Sequence, residues 1–221
     1  MDKIKLLITA GPTCEDIDSI RFITNRSTGN IGILIAAEAS KIGCDVKLIL
    51  GNTHIKPPEN INTINVRSAD DMYKAVIQNF SETDGLIMAA AVADYTPAEP
   101  IRGKFKKTDQ DMYLKLKRTT DILKEVGNRQ DRAGKILIGF ALDAELNLQE
   151  GQRKLIQKKL DAIIVNTVNS FGDGTGAVHA IVADGDGFNA ENIDKRTLAK
   201  QTAELWMKLY KRKTKQNSES L

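Results

Sequence analysis

Short runs rich in Ile, Val and Leu alternate along the chain with longer stretches in which apolar residues recur every three or four positions. The short runs have the composition of buried strands, and the longer ones carry the single apolar stripe of a helix packed on a sheet. Their alternation predicts a parallel sheet flanked by helices. Ile4 to Ala10 is the first strand-like run, broken by Gly11-Pro12-Thr13. A helix is predicted from Gly29 to Ile42, stopped by Gly43, with strands at Val46 to Leu50 and Asn62 to Val66. Ser68 with Asp71 three residues later has the form of an N-cap for a helix to about Phe80, and Gly85 to Ala91 follows as a buried strand.

The pattern changes between Lys104 and Arg118. Tyr113-Leu114-Lys115-Leu116-Lys117 alternates apolar and polar positions beyond a polar turn at Thr108-Asp109-Gln110-Asp111. That pattern predicts a two-stranded arm, about 103–118, outside the parallel core. Regular order resumes with a helix from about Thr120, a strand at Ile136 to Ala141 and a helix from Glu145 to Lys159. Strands at Ala162 to Asn166 and Val178 to Val182 come next, then a helix from Lys195 to Arg212 with Leu198, Leu205 and Leu209 on one face. Neither an internal repeat nor an interdomain linker interrupts this order. The expectation is one α/β domain over 1–213, a Rossmann-like and mostly parallel sheet flanked by helices with a protruding two-stranded arm, and a polar tail at 214–221.

At 221 residues, 41% hydrophobic and 28% charged, the chain can bury a core without metal or disulfide staples. A net charge of +3 is too small to point to nucleic acid. Two cysteines, Cys14 and Cys44, lack zinc-ligand spacing, and with only His54 and His179 a zinc site or a His-based triad is hard to assemble. The apolar run after Met1-Asp2-Lys3 is too short for a signal peptide or a membrane span, and no longer run follows. A reduced, cytoplasmic protein without a membrane or nucleic-acid partner is expected.

In open parallel sheets ligands bind beyond the C-terminal strand ends, so the residues just after each strand are the first candidates. Thr9-Ala10-Gly11-Pro12-Thr13 is followed by Arg21-Phe22-Ile23-Thr24-Asn25-Arg26-Ser27-Thr28-Gly29, where a Ser-Thr-Gly turn opens a helix and offers backbone N–H groups to an anion. Arg21 and Arg26 can add charge-assisted bonds there. The small residues Ala89, Ala90 and Ala91 let a ligand approach the backbone, with Asp94 as an acceptor beside them. Lys104-Phe105-Lys106-Lys107 places Lys104 and Lys106 on one face of an extended segment, suited to a polyphosphate. Phe140 ends a strand, and Lys154 and Lys158 share a helix face. Each signal also has an ordinary structural reading as a helix start, core packing or a solvated charge run.

Taken in order, the signals resemble the phosphopantothenate–cysteine ligase family, the synthetase half of the bifunctional bacterial coenzyme A flavoprotein. The resemblance rests on Ile8-Thr9-Ala10-Gly11-Pro12-Thr13, the stretch from Arg21 to Gly29, Ala90-Ala91-Val92-Ala93-Asp94-Tyr95, Lys104-Phe105-Lys106-Lys107, Thr120-Asp121-Ile122-Leu123, Gly139-Phe140-Ala141 and Leu160-Asp161-Ala162-Ile163-Ile164-Val165-Asn166, and spans about Ile4 to Gly172. It implies activation of the 4′-phosphopantothenate carboxylate as an acyl-nucleotide, with pyrophosphate released, followed by attack of the cysteine amine. It implies that Asn25 contacts the acyl intermediate and that Lys104 neutralises phosphate charge, the two catalytic candidates. Ala89, Ala90, Ala91, Asp94, Lys104, Asp121, Ile122, Leu123, Phe140, Lys154 and Lys158 would bind the nucleotide. Arg21, Asn25, Arg26, Ser27, Thr28 and Gly29 would bind phosphopantothenate. Magnesium would accompany the nucleotide, with its ligands unassigned, and a homodimer would let the arm reach the partner's site.

The chain departs from the family at Asn30, where bacterial members carry Lys, at Thr119-Thr120-Asp121-Ile122 in place of Asn-Pro-Asp-Ile, and at Phe140-Ala141-Leu142-Asp143 in place of Phe-Ala-Ala-Glu. Gly11-Pro12-Thr13 and Ala91-Val92-Ala93-Asp94-Tyr95 look bacterial, which implies CTP ahead of ATP. With no flavin decarboxylase domain before Met1, a standalone form is expected. Two other readings are an NAD(P)-dependent Rossmann oxidoreductase and a non-catalytic nucleotide-binding regulatory paralogue. The first lacks the G-x-G-x-x-G fingerprint after the first strand and an obvious Tyr-x-x-x-Lys pair. Retention of Asn25, Lys104 and Lys154 weighs against the second.

Overall fold

The first strand, β1 (Lys5–Ala10), shows how the apolar pattern becomes layers: Leu6, Ile8 and Ala10 face one core while Leu7 faces the other. The computed structural model describes residues 3–107, 109, 111–143, 145–167 and 175–219. After β1 come β2 (Cys14–Asp16), β3 (Phe22–Thr24), α1 (Asn30–Lys41), β4 (Asp45–Leu50), β5 (Asn62–Asn65), α2 (Ala69–Phe80) and β6 (Gly85–Met88). The chain continues through β7 (Tyr95–Pro97), β8 (Leu116–Arg118), α3 (Ile122–Gly127), β9 (Ile136–Asp143), α4 (Leu148–Gln157), β10 (Ala162–Thr167), β11 (Gly176–Val182), β12 (Asn189–Ile193) and α5 (Lys195–Glu219).

The main sheet has the order β12-β11-β10-β9-β6-β1-β4-β5. The six strands from β10 to β5 pair in parallel, and β11 and β12 add an antiparallel edge. The chain runs outward from β1 through β4 to β5, then returns to β6 on the opposite side of β1. Strand order therefore reverses between β1 and β6, and diverging connections leave a crevice at the C-terminal ends of these strands. The expected mostly parallel sheet is the one observed.

Helices α1 and α5 cover one face, burying Ile33, Ile35, Leu198 and Trp206 against Leu6, Ile8 and Ile138. Helices α2, α3 and α4 cover the other, where Met72, Val76, Phe80, Ile122, Leu123 and Leu155 meet Leu7, Leu86 and Leu137. Trp206 is fully buried, and its indole N–H donates to Ile136 O at 3.3 Å, so the polar atom of the largest core side chain is satisfied. No helix among the described residues is long and apolar enough to cross a membrane.

Four features differ from the sequence expectation. Residues 89–91 do not extend β6: Ala90 N turns to the Thr9 hydroxyl on the β1 side, and Ala91 keeps only an isolated parallel bridge with Pro12. The arm's paired strand β8 lies antiparallel to β7, with Tyr95 opposite Arg118, and not against the Lys104 limb. Residues 101–103 run instead beside the 17–21 turn, with Ile101 N donating to Ile17 O at 2.9 Å and Ser19 N to Gly103 O at 3.2 Å. Thr108 and Gln110 of the expected polar turn lie outside the described residues, as does Gly172, where the resemblance ends. The edge strand β12 and the small β2–β3 hairpin are too short and polar to give a periodic signal. Helix α5 runs to Glu219, past the expected end at Arg212, through a polar stretch that includes the good helix formers Lys213, Lys215 and Gln216 and carries no apolar stripe.

Candidate active site

The floor of the crevice is made where β1 and β6 end. Ala89 N donates to Thr9 O at 3.2 Å, Ala90 N to Thr9 Oγ1 at 3.2 Å, and Ala91 N to Gly11 O at 3.0 Å. Thr13 N donates to Ala91 O at 3.2 Å, and Thr13 Oγ1 accepts from Ala93 N at 3.0 Å. Both threonines are fully buried, so their hydroxyls act as backbone surrogates that bend 89–93 across the top of β1. This narrows the expected approach of a ligand to the backbone here: the amides of 89–91 are spent on β1 and the Ala91 carbonyl on Thr13 N and Asn25 Nδ2, so any reading of a ligand edge by this turn falls to the carbonyls of Ala89 and Ala90. Gly11 (φ 79°) and Gly29 (φ 78°) permit the close approach of the two loops, since a Cβ on Gly29 would sit 2.9 Å from Gly11 Cα.

One wall is the turn into α1. Asn25 Nδ2 donates to Ala91 O at 3.0 Å, tying this wall to the floor. Ser27 Oγ accepts from Gly29 N at 3.3 Å, and Gly29 caps α1 with left-handed backbone and no side-chain cap bond. The positive end of α1 thus opens at residues that line the crevice, an arrangement that favours an anion.

The opposite wall carries charge. Lys158 Nζ lies 2.9 Å from Asp121 Oδ2, and Asp121 Oδ1 also accepts from Lys124 N at 3.1 Å as the N-cap of α3. Lys154 sits 3.5 Å from Glu150, whose carboxyl is pulled down to about 2 chiefly by the Arg153 guanidinium. Thr119 joins this wall to the floor, donating from N to Asp94 O at 3.0 Å and from Oγ1 to Ala93 O at 2.6 Å.

Together these residues enclose a cleft of about 860 Å³, within the range of small-ligand sites. Asn25, Arg26, Ser27, Thr28 and Gly29 line it, as do Ala89, Ala90, Ala91, Asp94, Asp121, Ile122, Leu123, Phe140, Lys154 and Lys158. Arg21 and Lys104 do not. Arg21 pairs with Asp18, and Lys104 belongs to the segment lying along the 17–21 turn. Arg118, Thr119, Thr120, Asn166, Lys195 and Leu198 also line the cleft, though the sequence reading gives none of them a place in the site. The signals available for them are a Thr pair just before the Asp121 cap and a Lys at the start of the last helix. Among the described residues no group of three or more His, Cys, Asp or Glu could hold a metal.

Comparison with known proteins bears on this cleft. The family described as "DNA/pantothenate metabolism flavoprotein C-terminal domain" matches residues 1–209. The coenzyme A biosynthesis bifunctional protein CoaBC of Bacillus subtilis is 43% identical over 178 residues, 80% of this chain and 43% of that protein. A cysteine/cysteine sulfinic acid decarboxylase from an unknown prokaryotic organism is 40% identical over 173 residues, 78% of this chain and 48% of that protein. The chain spans less than half the length of these curated relatives. The crystal structure of the C-terminal domain of a CoaBC protein superposes with a TM-score of 0.80 at 34% identity, covering 96% of this chain and 100% of that one.

Proposed function

Because this chain belongs to the family of the DNA/pantothenate metabolism flavoprotein C-terminal domain, we propose that it is a ligase joining 4′-phosphopantothenate to cysteine in coenzyme A synthesis. The observation that carries the reading is convergence: motifs scattered from Asn25 to Lys158 line one cleft at the switch point of the sheet. In the first half-reaction the phosphopantothenate carboxylate attacks the α-phosphorus of the nucleotide and pyrophosphate leaves. In the second, the cysteine amine attacks the acyl carbon, and the nucleoside monophosphate leaves as the amide forms.

The residues divide between these steps. Asp94 and the carbonyls of Ala89 and Ala90 meet the base, Phe140 packs beside it, and Lys154 and Lys158 hold phosphate charge near Asp121, Ile122 and Leu123. Arg26, Ser27, Thr28 and the α1 terminus hold phosphopantothenate, with Asn25 at the acyl group. Preorganised donors at developing charge, and an amine placed beside an activated acyl carbon, supply the rate enhancement. Magnesium fits as a metal carried on the phosphates: among the described residues Asp94 and Asp121 are the carboxylates lining the cleft, and this ion characteristically takes one or two carboxylates plus phosphate oxygens. It would neutralise phosphate charge. CTP is the proposed nucleotide, and the cytoplasm the proposed location.

A homodimer completes the site in this reading. Lys104 does not line its own chain's cleft, and Ile20, Phe22, Tyr113 and Leu116 are exposed apolar side chains on the hairpin and arm. The arm of one copy would bring Lys104 to the cleft of the other. The test is incubation with 4′-phosphopantothenate, cysteine, magnesium and CTP or ATP separately, measuring pyrophosphate and ligated product. Product with CTP is expected. Absence of product with every nucleotide would sink the ligase reading, and ATP dependence would overturn the CTP assignment.

A further inference from the structure

We propose that Asp18 is a positioning residue for Lys104: with Arg21 it pins the basic arm at Phe105 and sets the point from which Lys104 is presented. The inference rests on the ligase reading for what Lys104 does, but the docking itself is read from geometry. The Asp18 side chain is fully buried, a costly place for a carboxylate unless its lone pairs are filled. They are. Asp18 Oδ1 accepts from Ile20 N at 2.9 Å and Arg21 N at 2.8 Å, closing its own turn. Oδ2 accepts from Arg21 Nε at 3.0 Å, from Arg21 Nη2, and from Phe105 N at 3.0 Å.

The bond to Phe105 joins residues 87 positions apart in the chain, and it has a counterpart. Arg21 Nη2 also donates to Phe105 O at 2.9 Å. One ion pair therefore satisfies both the N–H and the C=O of a single arm residue, the two bonds a neighbouring strand would otherwise make. Arg21 further lies over the Phe105 ring, 5.9 Å from its centroid. With Ser19 N bound to Gly103 O at 3.2 Å, Lys104 stands between two anchored neighbours while its own side chain remains exposed. This reassigns Arg21 from substrate contact to arm anchor. The adjacent guanidinium holds the Asp18 carboxyl far below the usual carboxylate range, so the anchor stays charged throughout the working pH range.

The test compares Asp18→Asn and Arg21→Lys with the parent chain, alone and combined with Lys104→Gln. Amide exchange at Phe105 and tryptic cleavage after Lys104, Lys106 and Lys107 report docking without reference to activity. Asp18→Asn should speed both by about tenfold and lower kcat by about tenfold, leaving the KM for cysteine unchanged. Adding Lys104→Gln to Asp18→Asn should lower kcat by much less than Lys104→Gln does in the parent chain, since a misplaced Lys104 has little left to lose. Unchanged exchange and cleavage, or additive losses of kcat, would overturn the proposal. If Asp18→Asn does not fold, judged by Trp206 fluorescence, Arg21→Lys carries the same comparison, because it keeps a cation beside Asp18 while losing the fork that reaches Phe105 O. A parent chain that makes no product sinks the ligase reading separately, and the exchange data still decide whether Asp18 and Arg21 hold the arm.

Discussion

The Lys158 ammonium lies 3.0 and 2.9 Å from the two carboxylate oxygens of Asp121, the residue that also caps α3. In the proposed ligase, nucleotide phosphates entering the cleft would compete with that carboxylate for the lysine. Lys158→Gln removes a charge-assisted contact and should raise the nucleotide KM by roughly tenfold with kcat within about threefold. Steady-state kinetics with varied nucleotide check it. A collapse of kcat at unchanged KM would place Lys158 at the reacting phosphorus instead. Asp121→Asn keeps a good cap and should leave stability near the parent value, whereas Asp121→Ala should cost about 1 kcal/mol in denaturant unfolding.

Asn25 contributes an N–H that no carboxylate can replace. Its Nδ2 donates to Ala91 O at 3.0 Å, and an Asp at this position would set an anion against that carbonyl and, in the proposed ligase, beside the acyl group. Asn25→Asp is expected to lower kcat by about 10²-fold, the scale of losing one donor at developing charge, while the chain stays folded. Rapid-quench measurement of pyrophosphate against amide product locates the defect. Turnover equal to that of the parent would remove Asn25 from the acyl site.

What can be read from the chain follows from the range of the forces involved. Strands β1, β4 and β6 are buried on both faces and announce themselves as Ile, Val and Leu runs. Ser68 and Asp71 close a capping box that local spacing alone requires. Part of the cleft is legible because a parallel sheet puts its ligands where strands end, so the turn holding Asn25, together with Ala91 and Phe140, can be picked out by position, whereas Asp121 is reached only through the family resemblance. The place of Arg21 and Lys104 is not legible. It depends on Asp18, whose bond to Phe105 is tertiary and leaves no periodic trace. The roles of Thr9 and Thr13 are hidden for the same reason, since a hydroxyl that replaces a backbone donor or acceptor looks like any small polar residue. Strand β12 escapes notice because its polar, mostly exposed residues give no apolar run.

Cys44 gives a pH signature away from the cleft. Burial pushes its thiol up to about 11 from an ordinary 9.0, with the Asp84 carboxylate adding to the shift. The folded state therefore holds this proton more tightly than the unfolded chain. That contribution to stability is fully present below about pH 9 and is lost as pH rises toward 11. The half-buried Tyr210 phenol, also pushed up, acts with the same sign. Urea unfolding at stepped pH should show stability falling across this window, less steeply in Cys44→Ala. A parent curve flat from pH 9 to 11 would contradict the burial argument.

Helix α1 touches β1 more closely than any side chain allows, which makes Gly32 a test of how the fold holds the cleft. A Cβ there would lie 2.5 Å from Ala10 Cβ and 3.0 Å from Thr9 O, so Gly32→Ala must push α1 away from the end of β1. Overpacking of this kind costs about 1–3 kcal/mol, a fall in Tm of roughly 2–12 °C for a chain of this size. Because the same helix start carries Ser27 to Gly29 and faces Ala91 through Asn25, activity should fall even at temperatures where the variant remains folded. Gly43→Ala supplies the control. Gly43 has φ 94°, and an added methyl would meet nothing within 4 Å, so its substitution strains the backbone by about 1–2 kcal/mol at the far end of α1 and leaves kcat at the parent value. If the two variants lost activity in proportion to stability alone, the placement of α1 against β1 would matter to folding but not to the geometry of the cleft.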